Sequence, residues 1–326
     1  MDSLIKFQKM GDNCYDVGCF VLSMYNTNIP FYSGLLHEYI HYLQDTCTYF
    51  GLKLRNDIYN GRDTYNCHLI KGCKMSCLAS IEGRHPHLIP TVYQQQDLTF
   101  IEYGTAILGT ESIKENMAYN AQRYLDESYN NGLNGYGVIS KYIEKECPFL
   151  EGNYLVQFGL EDISLMSDNP SVAMVKLVEF CKNNQSVLPT ISNKQDIKDL
   201  YDKLEQVLWS EGLLKYDGIE DCINGVREKL KNILKPEKCN VDEIINGIEL
   251  FCKNNYEGRL KNHSIVTEQL FEYKTHSVNH NSDENDRETD VFGDVFFSVF
   301  GYPIMSCWDV DELFNPNTLQ GLGFHI

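Results

Sequence analysis

The sequence feature that most constrains the fold is an amphipathic helix predicted over residues 35–50. Its apolar residues recur at alternating steps of four and three, which places them on one face of an α-helix: Leu36, Ile40, Leu43, Cys47 and Phe50. Such a stripe is stable only when it is buried against other elements, so this helix is expected to pack in the core. Gly51 follows the stripe and is a plausible end or kink.

The same helix carries two histidines, His37 and His41, with a glutamate directly after the first. Residues four apart on a helix stack on the same face, so both imidazoles can reach one Zn²⁺ at ~2.0–2.1 Å. Glu38 lies one position further on, where its carboxylate can take a proton from an activated water without serving as a ligand. The simpler alternative is a pair of helix histidines that are each satisfied by a neighbouring residue.

This H-E-x-x-H pattern resembles the zincin metallopeptidases. The resemblance implies that His37 and His41 bind zinc and that Glu38 is the general base and acid. In the metzincin branch a glycine follows the second histidine by three residues and a third histidine follows it by six. Those positions hold Gln44 and Cys47 here, so the metzincin branch is disfavoured. Cys47 remains open as a thiolate ligand, although its place in the apolar stripe favours packing.

The gluzincin branch takes its third ligand from a glutamate on a later helix, often in an E-x-x-A setting. Glu115 is followed by Ala118 in this way, which implies that Glu115 is the third ligand, and Glu111, one turn earlier, is the alternative. Many gluzincins place an aspartate four residues after the ligand glutamate to orient a zinc histidine. Tyr119 stands there in this chain, so Tyr119 and Asp45 are the candidates for that role.

A hydrolase also needs a donor near the oxygen that becomes negative in the transition state. Position and side-chain chemistry alone suggest His263, His276, Tyr103 and Tyr273. Each has an ordinary alternative as a surface histidine or a packed tyrosine. No Walker loop, G-x-G-x-x-G fingerprint or G-x-S-x-G elbow occurs, which argues against nucleotide, dinucleotide and serine-hydrolase chemistry.

The predicted fold class is α+β: a predominantly α-helical, zincin-like domain with a small N-terminal β-sheet and a helical C-terminal region. Two strands are predicted at residues 4–10 and 19–25, separated by a turn-like segment, and residues 61–110 are expected to be irregular with one edge strand. Later helices are predicted at residues 111–129, 139–147, 154–166, 170–184, 195–209, 217–235, 241–254 and 263–275. Residues 277–290 are expected to form an exposed loop, and the apolar tail after them to dock on the core.

Only 36 residues precede His37, too few for a large β-rich lobe, so the layout resembles compact, minimal gluzincins. The resemblance covers roughly residues 1–130. We therefore expect a catalytic core over residues 1–135 with the motif helix and the glutamate helix. A mostly helical region over residues 136–326 would complete the cleft or recognise substrate. One continuous domain is the alternative.

Composition restricts the partners. The formal net charge of −18 repels nucleic-acid phosphates and favours, if anything, peptide or protein substrates with basic segments. No membrane span and no secretory signal are recognisable, so a cytoplasmic location is expected. The 12 cysteines form no C-x-x-C pair, and Cys73 and Cys77 have no second pair nearby, which argues against structural zinc held by cysteine.

These patterns predict a zinc-dependent metallopeptidase that hydrolyses peptide bonds of an intracellular protein or peptide. Two other classes remain open. One is a zincin-like binding or regulatory protein with structural zinc, and the other is a non-peptidase amide hydrolase that uses the same activated water.

Overall fold

The computed structural model describes residues 14–16, 21–24, 31–52, 87–93, 96–103, 106–129, 136–167, 169–214, 241–278, 292–300 and 304–307. These residues are mostly helical, as the sequence predicts. The helices longer than one turn are α1 (Phe31–Cys47), α2 (Thr110–Leu125), α3 (Val138–Glu146), α4 (Tyr154–Ser164), α5 (Pro170–Asn183), α6 (Lys194–Ser210), α7 (Val241–Lys261) and α8 (Ile265–Val278).

Short β-strands accompany the helices. Strands β1 (Cys14–Asp16) and β2 (Val21–Met24) pair antiparallel, and β2 pairs parallel with β6 (Ile304–Cys307). Strands β3 (His87–Tyr93), β4 (Gln96–Tyr103) and β5 (Ala106–Leu108) form an antiparallel sheet in chain order. The expectation of irregular structure with one edge strand over residues 61–110 was therefore wrong for residues 87–93, 96–103 and 106–108. Only two residues separate each pair of strands there, which is the spacing of tight hairpins.

The predicted and observed helix ends agree within a few residues from α2 to α6. Local capping explains part of this agreement: the Asn153 side chain accepts a hydrogen bond from the backbone of Val156, and Asn193 caps α6 in the same way. Pro170 occupies the first turn of α5, where its missing N–H costs nothing. Helix α7 is seven residues longer than expected, and the helix predicted at residues 217–235 lies outside the described residues.

The predictions for the two ends of the chain have different outcomes. The strand predicted at residues 4–10 lies outside the described residues, and β1 lies in the segment predicted as a turn. In the C-terminal part, Phe292, Phe296 and Phe300 are buried in the main core, as docking of the tail requires. Most of the loop predicted at residues 277–290 lies outside the described residues.

Helix α1 is enclosed by the rest of the protein. Its predicted stripe is buried except for Phe50, which is partly buried. Tyr39 and Tyr42 on other faces are buried too, as are the polar residues Asp45 and Thr46. The hydroxyls of Tyr39 and Tyr42 donate to the backbone oxygens of Phe296 and Phe300 at 3.4 and 3.1 Å, so the C-terminal segment covers a second face of the helix. The prediction that α1 buries only one face was therefore incomplete. Helices α2 and α7 and the C-terminal segment pack against different sides of α1.

Gly51 marks the end of this region. A Cβ atom at Gly51 would lie 2.1 Å from the backbone oxygen of Gln44 and 2.7 Å from Cα of Asp45. Residues 49–52 thus turn back so closely onto the end of α1 that only glycine fits. Helix α1 itself ends at Cys47, four residues before Gly51, so the chain turns near the expected position but the helix end precedes the glycine.

Helices from both sides of residue 135 contribute to one hydrophobic core. Helix α2 packs against α1 on one side and α4 on the other. The division into two regions at residue 135 stays a prediction. None of the helices in the described ranges is both long and apolar enough to cross a membrane.

A buried polar network joins α2, α3 and α4. The carboxyl group of Glu161 accepts hydrogen bonds from the side-chain amides of Asn116 and Asn120, and the Ser140 hydroxyl donates to Asn120 at 2.9 Å. Burial raises the pKa of Glu161 well above its ordinary value, although the two asparagine amides lower it. The neutral form of the carboxyl group is therefore favoured in the folded protein.

A buried ion pair joins α4 to α7. Arg259 Nη1 lies 2.6 Å from Asp162 Oδ2, and both side chains are fully buried. The Tyr201 hydroxyl donates to the same carboxylate oxygen at 2.5 Å and lies 2.5 Å from the hydroxyl of Thr267. We refer to Asp162, Tyr201, Arg259 and Thr267 as the Asp162 cluster.

Candidate metal centre

The two histidines of the motif point towards α2 from the middle of α1. Their ring centroids are 4.9 Å apart and the rings meet edge to face. His37 is 9% exposed and Glu38, the next residue, is 7% exposed, so both side chains are largely buried but retain a small accessible surface. This arrangement follows directly from the i, i+4 spacing on a helix.

Glu115 of α2 completes a triangle with the two imidazoles. Its Oε2 lies 3.4 Å from His37 Nε2 and 3.6 Å from His41 Nε2, and the two Nε2 atoms are 3.3 Å apart. Four ligands at ~2.0–2.1 Å around a tetrahedral Zn²⁺ are separated by ~3.3–3.4 Å. The three atoms therefore fit three corners of a zinc tetrahedron, and their chemistry, two imidazoles and a carboxylate, suits this ion.

In the part of the chain that the structure describes, this is the one group of three His, Cys, Asp or Glu residues whose ligand atoms lie within 4.8 Å of one another. We refer to His37, His41 and Glu115 as the metal triad. Cys47 is buried, and its sulfur lies 3.7 Å from the Thr46 hydroxyl, which agrees with packing rather than ligation.

The electrostatics of the metal triad favour an ionised Glu115 carboxylate beside a protonated His41. Burial lowers the pKa of His41, but the Glu115 carboxylate outweighs burial and, with help from Glu38, raises this pKa to about 9. Burial raises the pKa of Glu115, yet His41 and His37 hold it well below its ordinary value. A carboxylate that stabilises a proton on the neighbouring imidazole can stabilise a divalent cation at the same place.

Each histidine is held from behind by a glutamine. His37 Nδ1 lies 3.0 Å from Oε1 of Gln122, and His41 Nδ1 lies 2.9 Å from Oε1 of Gln44. An amide oxygen can only accept a hydrogen bond, so both Nδ1 atoms donate. The Nε2 atoms, which face Glu115, are then the ones that can bind a metal.

The contact between α1 and α2 also depends on a buried ion pair beside the triad. Lys114 Nζ lies 3.3 Å from Asp45 Oδ1, with both side chains almost fully buried. Ala118 is fully buried, and a small residue there permits the close helix approach that the E-x-x-A pattern predicts. These features fix Glu115 opposite the two histidines.

Other residues named from the sequence lie elsewhere. Tyr119 directs its hydroxyl at the backbone oxygen of Tyr129, 3.5 Å away. The histidine Nδ1 atoms, which Tyr119 and Asp45 were expected to orient, are hydrogen-bonded to glutamines instead. His263 pairs with Glu205 at 2.6 Å, and His276 contacts the backbone oxygen of Glu272 on the surface. Neither histidine belongs to the metal triad.

Tyr273 is buried against Phe292 and Phe296, the packed alternative considered for it. The side chains of Tyr103 and Glu111, and the segment with Cys73 and Cys77, lie outside the described parts of the chain.

Sequence analysis missed the two glutamines and one aromatic neighbour. The ring of Tyr136 meets the ring of His37 edge to face at 5.5 Å. Gln122 lies seven residues after Glu115, so helix periodicity places both on one face, and Gln44 lies three residues after His41. That spacing was available in the sequence, but glutamine is common on helices and carries no metal-specific pattern.

Comparison of the chain with protein-family models, with curated proteins and with solved structures found no match.

Proposed function

We propose that this protein is a zinc-dependent hydrolase of the gluzincin type, acting on peptide bonds. One observation carries the proposal: His37 Nε2, His41 Nε2 and Glu115 Oε2 converge to 3.3–3.6 Å beside the glutamate of an H-E-x-x-H motif. A structural zinc site has no need of that fourth residue, Glu38. The zincin-like architecture with a small N-terminal sheet belongs to the same proposal.

The residues divide the chemistry between them. His37, His41 and Glu115 would hold Zn²⁺, which supplies Lewis acidity that lowers the pKa of a water towards ~7. Glu38 accepts the proton of the attacking water and then passes it to the leaving amine nitrogen. Because Glu38 is largely buried, its carboxylate acts in a medium with little competing solvent.

The substrate class follows from charge. The chain has 46 acidic and 28 basic residues, so its overall field attracts positively charged segments. We propose intracellular protein or peptide substrates with basic segments, encountered in the cytoplasm, and no nucleic acid or membrane partner.

The metal content of the purified protein tests the first step. We expect one zinc per chain by mass spectrometry of the metal, and loss of that zinc in the double variant His37→Ala, His41→Ala. Exchange of His263 and His276 for alanine is the matched control, because neither histidine belongs to the metal triad, and it should leave the zinc in place. A wild-type protein without stoichiometric zinc contradicts the proposal.

Glu38→Gln separates catalysis from a structural metal. The amide keeps the shape of the side chain but cannot accept the proton, so we expect zinc to be retained and hydrolysis of a peptide library to fall by at least ~10²–10⁴-fold. Glu127→Gln, an exposed glutamate, is the control. A Glu38→Gln protein with full activity would exclude the mechanism. Zinc binding without hydrolysis of any peptide would favour a binding protein or a non-peptidase amide hydrolase.

The third ligand is tested by Glu115→Ala against Glu111→Ala. We expect weaker zinc binding only for the first variant, because Oε2 of Glu115 lies opposite both histidines. The reverse result would move the assignment to Glu111.

A further inference from the structure

We propose that Gln44 and Gln122 are positioning residues that fix the tautomer and the direction of the two histidines for metal binding through Nε2. The inference rests on the proposed metal site but not on peptidase activity. Both glutamines are almost fully buried, at 1% and 3% exposure, and each hydrogen-bonds from its own helix to the other one of α1 and α2.

Gln44 shows how the tautomer is determined. Its Nε2 donates to the backbone oxygen of Lys114 at 2.8 Å. A carbonyl oxygen can only accept, so this end of the amide must be the NH₂ group, and the end near His41 must be the oxygen. His41 Nδ1 therefore carries a hydrogen, and its Nε2 is left to face Glu115.

Gln122 repeats the arrangement in the opposite direction. It comes from α2, donates through Nε2 to the backbone oxygen of Ser33 in α1 at 2.9 Å, and accepts from His37 Nδ1 at 3.0 Å. The same Nε2 lies 3.0 Å from the Ser33 hydroxyl and 3.1 Å from the Tyr129 hydroxyl. One glutamine thus crosses from α1 to α2 and the other from α2 to α1.

Because each glutamine bonds both to a histidine and across the helix contact, the packing of α1 against α2 determines how the two histidines are oriented. If α1 and α2 shift, the amide of Gln44 loses its backbone acceptor on α2 and can rotate, which would present NH₂ instead of oxygen to His41 Nδ1, whereas Gln122 loses both of its contacts with α1. Outer groups that orient metal-binding histidines typically contribute 10- to 100-fold in metal affinity. Here these groups are neutral amides, so they orient the rings without adding negative charge to the site.

The test compares three variants by zinc affinity, measured by competition with a chromogenic chelator. Gln44→Met and Gln122→Met keep the length of the side chain but remove its hydrogen bonds, and we expect zinc binding to weaken ~10- to 100-fold in each. Gln157→Met is the matched control: Gln157 is fully buried and donates to the Leu150 backbone oxygen at 2.9 Å, but it lies outside the triad. It should lose stability without losing zinc affinity.

A glutamate variant separates orientation from simple helix docking. Gln122→Glu keeps an oxygen acceptor for His37 Nδ1 but loses the donor to Ser33. If Gln122 orients the histidine, zinc affinity should stay within about threefold of wild type or increase, since a carboxylate strengthens the imidazole ligand. If Gln122 only docks the helices, Gln122→Glu should weaken zinc binding as much as Gln122→Met, and this result would overturn the inference.

Histidine tautomers provide a readout that does not depend on activity. Long-range ¹H–¹⁵N spectra of the zinc-loaded protein should show protonated Nδ1 in both His37 and His41. Zinc bound through Nδ1 in either ring would overturn the inference and leave the proposed hydrolase intact. Conversely, zinc binding with the expected tautomers but no hydrolysis would reject the peptidase and keep the role of the glutamines.

Discussion

Two groups of buried polar side chains in this protein differ in how their atoms are directed. In the Asp162 cluster, opposite charges and hydroxyl donors face each other: Arg259 and Tyr201 both direct hydrogens at Asp162 Oδ2. In the metal triad, two imidazole nitrogens and a carboxylate oxygen converge on one another instead. The Asp162 cluster has a permanent cation in Arg259, whereas the only cation of the metal triad is a proton on His41, and we propose that a metal ion can replace that proton.

The largest expected effect is on the Asp162 cluster. Arg259→Met removes the cation and leaves the Asp162 carboxylate buried, so we expect the free energy of unfolding to fall by ~3–5 kcal/mol. Urea denaturation measures the change. The loss should be the same with zinc or with a chelator present, and a zinc-dependent loss would mean that the two groups are coupled.

Zinc should stabilise the folded protein by an amount set by its concentration. At a free concentration 100-fold above the dissociation constant, binding to the folded state alone adds about 2.7 kcal/mol. A thermal melt with and without zinc measures this change, and the double variant His37→Ala, His41→Ala should show no zinc-dependent shift in Tm. Equal shifts in both proteins would show that zinc acts outside the metal triad.

Tyr201→Phe removes one donor from the Asp162 cluster and leaves its charges paired. A hydrogen bond to a charged group contributes ~1.5–3 kcal/mol, so the expected loss of unfolding free energy is smaller than for Arg259→Met. Tyr124→Phe is the matched control, since Tyr124 lies outside the Asp162 cluster and its ring contacts the Lys274 ammonium at 4.2 Å. If Arg259→Met and Tyr201→Phe lower the free energy of unfolding equally, then the ion pair contributes no more to stability than the tyrosine hydrogen bond does.

The smallest expected effect on the free energy of unfolding comes from Glu161, and its size depends on pH. The pKa of its carboxyl group is 4.5 in an ordinary setting and higher in the folded protein, so the unfolded chain loses this proton first. Stability is therefore fully present below pH 4.5 and decreases as pH rises towards the folded pKa, by about 1.4 kcal/mol per pH unit. Glu161→Gln should flatten this slope above pH 4.5. Denaturation midpoints at several pH values measure it, and an unchanged slope would mean that Glu161 is ionised in the fold.

How much of the fold was predictable depends on how local the determining interactions are. Helices α2 to α6 were found from periodicity and capping residues, because both act within a few residues. Strands β3–β5 and the position of β1 were not, because pairing with a distant or neighbouring strand decides whether a short segment is extended. The burial of a second face of α1 could not be predicted either, since Tyr39 and Tyr42 are amphipathic and their hydroxyls are covered by residues 292–300.

The candidate site divides in the same way. The sequence by itself determined that His37 and His41 stack on one face of a helix with Glu38 beside them, because 3.6 residues per turn fixes that geometry locally. Only the tertiary structure decided that Glu115 meets both imidazoles and that Gln44 and Gln122 hold them from behind. The contact between Gln122 and His37 spans 85 residues, and its geometry depends on how α1 and α2 pack rather than on the sequence of either helix alone.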